Sequence, residues 1–171
     1  MSLMFPRNEV DKKISTLNKQ ATQYSHNDWD NAIKCLEEVW LLMPNAMMDY
    51  GAQSLVRLPK FLQQAGRFSE AKERFNELIN SVDEYAERVS KTHDLKEFYK
   101  PTVKHSYLAE VYDAMRIAYK REKLIDQSNQ FEKLSKEHYG LSEEQGKKLQ
   151  EARKKQLEEH KNWMRQMGEK K

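Results

Sequence analysis

Five histidines, one cysteine and several paired carboxylates are the side chains in this chain with the most chemistry in them, and their spacing decides what they can do together. No histidine stands three residues after a glutamate, the spacing with which helical di-iron bundles hold metal, and no His-Glu-x-x-His pair occurs. Cys35 is the lone cysteine, so no internal disulfide and no cysteine-rich zinc motif can form. On a helix with Ala32 and Leu36 it reads as a small buried hydrophobe rather than a reactive thiol. Glu37-Glu38 and Glu158-Glu159 are adjacent, which on a helix sends the two carboxylates to different sides, whereas acid–base catalysis needs them to converge. The five glycines build neither a phosphate-cradling loop nor a Gly-x-Ser-x-Gly elbow. The expectation is therefore a protein with no catalytic residues, no metal site and no cofactor. What is left is surface chemistry carried by tyrosine, lysine, arginine and glutamine.

The elements that must present that surface are helices. Charged residues make up 33% of the 171 residues while glycine and proline number five and four, so helix formers are many and breakers few. Asn8 can cap a first helix with Val10, Ile14, Leu17, Ala21 and Tyr24 on one face. A second, from about Asp28 to Met43, carries Trp29, Ala32, Ile33, Leu36, Val39 and Trp40. Pro44-Asn45 breaks the chain, and Asn45 is placed to cap a third helix with the stripe Met48, Ala52, Leu55, Leu58, Leu62 and Ala65. Pro59 should kink that helix, because it lacks an N–H and its ring meets the carbonyl four residues back. Gly66 closes the third helix, and a fourth runs from Phe68 or Ser69 unbroken to about Thr92. Pro101 is expected to open a fifth helix containing Leu108, Val111, Met115 and Ala118. A sixth holds Leu124, Phe131 and Leu134 and ends at Gly140. Ser142-Glu143-Glu144-Gln145 then has the form of a capping box for a polar seventh.

Two of these segments carry the same signal. Trp29, Ala32, Leu36 and Val39 repeat as Phe68, Ala71, Phe75 and Leu78, each set following a turn and each placing a small residue where two helices can cross closely. This doubled helix–turn–helix pattern resembles the tetratricopeptide repeat, in a long-helix variant, since Ala32 to Ala71 exceeds the standard period and Pro59 departs from the family pattern. The resemblance implies an all-α fold of antiparallel hairpins stacked as a right-handed superhelix. Leu124, Phe131 and Leu134 repeat the outline a third time, with Gln127 where the small residue would be. The resemblance further implies that the first helix of each pair lines a concave groove for a peptide or helix of a partner protein. That face would present Tyr24, then Gln53, Lys60, Gln63 and Gln64, then Tyr112, Arg116, Tyr119 and Lys120. The family's clamp for a free chain terminus is not expected, because Leu17 and Ala21 stand where it needs Lys and Asn.

Residues 1–141 are accordingly expected to form a helical domain, with 142–171 a polar, basic helix that either caps the last hairpin or projects. From Ser142 onward nine Lys or Arg face six Asp or Glu, so this tail carries the whole net charge of +3. The function expected is that of a non-catalytic interaction scaffold, an adaptor or chaperone-like protein. A nucleic-acid-associated regulator using the tail with Trp163 and Arg165 is the alternative, against which the interspersed glutamates count. Association of two chains through the C-terminal helix is open. No apolar run reaches the length of a membrane span, and residues 1–10 lack the apolar core of a secretory signal, so a cytoplasmic location is expected.

Overall fold

The computed structural model describes residues 8–168; the irregular start expected before Asn8 lies largely outside that range. Among the described residues the chain is all-helical: α1 (Glu9–Tyr24), α2 (Trp29–Leu42), a 3-10 turn (Met43–Asn45), α3 (Ala52–Leu55), α4 (Arg57–Gln64), α5 (Phe68–Asn80), α6 (Val82–Ser90), α7 (Lys96–Arg121) and α8 (Ile125–Gly168). Short turns make neighbours antiparallel, and the pairings α1/α2, α4/α5, α6/α7 and α7/α8 follow chain order, with α2 against α4 and α5 against α7 joining the pairs. No helix is long and apolar enough to cross a membrane.

The doubled signal does the same packing twice. Ala32 and Ala71 are both fully buried, with Leu36 and Phe75 beneath them. Each opening aromatic meets a ring two helices on, edge to face: Trp29 lies 5.3 Å from Phe61 of α4, and Phe68 lies 5.1 Å from Tyr119 of α7. In the third, weaker copy Gln127 is exposed and the next residue, Ser128, is the one buried.

Helix ends follow local chemistry. Asn8 accepts the Asp11 N–H at 2.9 Å, so the N-cap expected for α1 is present, and Asp28 caps α2 in the same way by accepting the Asn31 N–H at 3.1 Å. Gly66, with φ +78°, closes α4, where the Arg67 N–H reaches back to the Leu62 carbonyl at 2.8 Å. The end of α7 uses the same geometry without glycine: Lys123 takes φ 61° and the Leu124 N–H bonds the Tyr119 carbonyl at 3.0 Å.

Several boundaries differ from the sequence expectation. The third helix does not start at Asn45. The buried carboxylate of Asp11 accepts the Met47 N–H at 3.0 Å, the Met48 N–H at 3.3 Å and the Tyr50 hydroxyl at 2.8 Å, which holds residues 46–50 as a loop and delays the helix to Ala52. The kink expected at Pro59 lies at Val56, between α3 and α4. There Pro59 sits in the first turn of α4, where an N–H has no intrahelical partner anyway. The fourth helix is interrupted at Ser81. Pro101 is inside α7, which starts at Lys96.

The largest difference is at Gly140, which does not end a helix: α8 continues through it and through Ser142, so the limit between 141 and 142 falls within one helix. The continuity comes from α7. Ser128, Ser135 and Ser142 donate their hydroxyls to the carbonyls of Arg116, Ala109 and Thr102 at 2.9, 2.9 and 3.3 Å. Both series step by seven, so one small residue per two turns brings the helices close along the whole seam.

Candidate functional site

Beside the serine ladder runs a column of rings with the same seven-residue step. Phe68, Tyr119, Phe131, Tyr112, His138 and His105 follow one another with centroid separations of 5.1, 4.8, 6.1, 5.6 and 5.1 Å. The column ends in an Nδ1···Nδ1 hydrogen bond of 2.9 Å between His105 and His138, in which one ring donates and the other accepts. Burial lowers both imidazole pKa values, Lys104 adding to the effect on each and Glu137 opposing it.

Two of the residues expected to face a partner, Tyr112 and Tyr119, belong to this column, half-buried between α7 and α8, with their hydroxyl pKa values raised by burial. Arg116 is paired with Asp113 at 2.8 Å. Gln63 is buried, its amide donating to Glu122 at 2.8 Å and accepting from Arg121 at 3.4 Å, so it ties α4 to the end of α7. Gln53 and Lys60 come together in a depression between α3, α4 and α7 with Glu110, Asp113 and Tyr139. There burial raises the Glu110 carboxyl pKa, partly offset by a backbone hydrogen bond from Gln53 and by Lys60. Gln64 and Lys120 are exposed, as is Tyr24 at the last turn of α1.

An apolar concavity lies elsewhere, at residues the spacing of the sequence did not single out. A cleft of about 280 Å³ opens where α2, the 43–50 loop, α3, α5, α6 and α7 meet. Trp40, Leu55, Leu78 and Tyr107 line it from the core side, Met43, Pro44, Met48 and Tyr50 from the loop, and Glu77, Glu84, Tyr85 and Arg88 from α5 and α6. Met48 is 49% exposed and its neighbour Met47 72% exposed. Asp11 positions this wall from beneath through the three hydrogen bonds to the loop. Tyr85 and Tyr107 meet as tilted rings with centroids 4.6 Å apart, and burial pushes the Tyr107 hydroxyl pKa up to about 12, with Ser81 drawing it the other way. The indole Nε1 of Trp40 is buried and has no acceptor among the described residues. Arg88 is held by Asp49 at 3.5 Å and Glu77 by Arg74 at 3.0 Å, while Glu84 has no ion-pair partner among the described residues.

No group of three His, Cys, Asp or Glu side chains able to hold an ion occurs among the described residues. The Cys35 thiol pKa is raised by burial and by Glu38, away from the thiolate that nucleophilic chemistry needs. The fold and cleft define a class no finer than a helical protein with an apolar, methionine-walled concavity. Comparison with known proteins adds no family to that: no family model, no curated protein and no solved structure matches the chain.

Proposed function

We propose that the protein is a non-catalytic interaction scaffold that holds a segment of a partner protein, seating an apolar side chain in the cleft between the 43–50 loop and α5–α6. The observation that carries this reading is the make-up of the cleft. Flexible methionines and flat aromatic rings form walls that adapt to a side chain, at a volume that suits one or two such groups. An N–H of Trp40 without an acceptor and a carboxylate of Glu84 without a counter-ion, both among the described residues, are the polar features that would orient what binds. Support for a repeat scaffold of the tetratricopeptide type comes from the two fully buried alanines and the matched aromatic contacts of α2 and α5. On this reading Gln53 and Lys60, at the depression beside α7, extend the partner-facing surface.

The test is paired affinity capture, comparing the wild-type chain with Met48→Glu and with Leu41→Glu. Leu41 is 78% exposed and does not line the cleft, so its variant controls for a new surface charge. Proteins retained by wild type and Leu41→Glu but lost with Met48→Glu are expected. Equal recovery by all three would refute the assignment of the cleft.

A further inference from the structure

A second apolar surface without a cover among the described residues is the far end of α8. Extending the Ser142–Thr102 and Ser135–Ala109 register places Lys96, the first residue of α7, level with Lys148. Leu149 is the last buried residue of α8, and everything from Arg153 to Gly168 is exposed. Leu157, Trp163, Met164 and Met167 are each 51–55% exposed and share one side of that segment. Lys154, Lys161 and Arg165 run along one edge of this stripe, with Glu158 just outside them and Glu159 at the opposite edge beside Trp163. Residues 147–168 hold seven Lys or Arg against three Glu.

The cleft has the opposite character. Its charged lining is Glu77 and Glu84 against Arg88, one net negative charge. We infer that the occupant of the cleft is the projecting end of α8 from a second copy of this chain, its Trp163–Met164 side chains entering the apolar pocket and its lysine edge lying along α5–α6. This rests on the reading of the cleft given above and deepens it by naming the partner. A molecule cannot fill its own cleft this way: Tyr107 is level with Glu137, so Trp163 lies roughly 40 Å further along an unbroken helix. Side-by-side antiparallel pairing of two such ends is disfavoured, because it sets one lysine edge against the other. The contact joins two different surfaces, so it either closes by reciprocal exchange into a dimer or runs on as an open chain.

Sedimentation velocity of the full-length protein over a concentration series, up to about 100 µM, tests this with Trp163→Glu and Met48→Glu, both at exposed positions and both checked for helicity by circular dichroism. Wild type is expected to associate reversibly, each variant alone to weaken association by at least about tenfold, and an equimolar mixture of the two to form a complex again, since one intact cleft and one intact helix end are then present. A wild-type chain that stays monomeric overturns the inference, as does association that survives Met48→Glu or a mixture that does not recover. Loss of association with the inference intact at the level of capture is separable: if wild type is monomeric yet Met48→Glu still loses a captured protein, the cleft binds a different partner and only the second-copy inference falls.

Discussion

Asp11 shows how much a single buried carboxylate sets in this molecule. Its three acceptor contacts on Met47, Met48 and Tyr50 hold the loop that walls the cleft. Removing the acceptor takes away a charged partner from three part-buried donors, so Asp11→Ala is expected to cost roughly 2 kcal/mol in denaturant unfolding and to loosen residues 46–50 in hydrogen exchange. Lys123 works in the other direction. A non-glycine residue at φ 61° carries backbone strain, and Lys123→Gly is expected to stabilise by about 1 kcal/mol, a rise of roughly 2–4 °C in the thermal midpoint for a chain of this size. The His105–His138 pair gives a pH dependence. Both folded pKa values lie below the unfolded reference, so the neutral pair is favoured by folding; stability is complete above about pH 6.5 and falls as pH drops from there through the lowered folded values. Lys104, itself held by Asp83 of α6, and Glu137 are the charged groups nearby. Melting curves at pH 7.5 and pH 5 check this, and the difference should shrink in His105→Phe.

The elements were legible to different degrees. The doubled signal located the starts of α2 and α5, because an apolar stripe of period 3.6 with Ala at the crossing is local information. Asp28 and Gly66 also act through neighbours only a few residues away. Two of the misplaced boundaries, at Asn45 and at Gly140, depend on distant partners. Asp11 lies 36 residues from Met47, and neither position alone announces the bond. Gly140 looked like a helix end because glycine favours C-terminal positions, yet α7 packs alongside and outweighs a local preference of about 1 kcal/mol. The seven-residue steps Ser128–Ser135–Ser142 and His105–Tyr112–Tyr119 were readable signals, obscured because serine and histidine do not register as core residues in an apolar count. The cleft was not legible at all, since its lining comes from six separate segments. If the crossings at the two alanines are as tight as their burial indicates, Ala71→Leu will overpack the space between α4 and α5 and lower stability by about 1–3 kcal/mol. An unchanged melting temperature would remove the physical basis for comparing α2 with α5.

At the scale of the whole molecule, α8 divides into a packed part and a bare part. Deleting the chain from Leu157 onward removes, among the described residues, only side chains that are already exposed, so the thermal midpoint is expected to move by less than about 2 °C. Deleting from Ser142 also removes buried Leu149 and the Ser142–Thr102 bond, so it should destabilise by about 2–4 kcal/mol while leaving a cooperative transition, because the larger buried clusters lie in residues 14–118. The proposed role of the molecule rests on the cleft being an occupied surface. Its most direct test is photo-crosslinking from position 48: a benzophenone amino acid placed there, beside the same probe at exposed Gln130 as a control, followed by mass spectrometry of the adducts. A discrete protein adduct formed at position 48 and not at position 130 is the expected result, mapping to residues 157–168 of a second copy if the further inference holds. Indistinguishable adduct patterns at the two positions would contradict a binding role for the cleft.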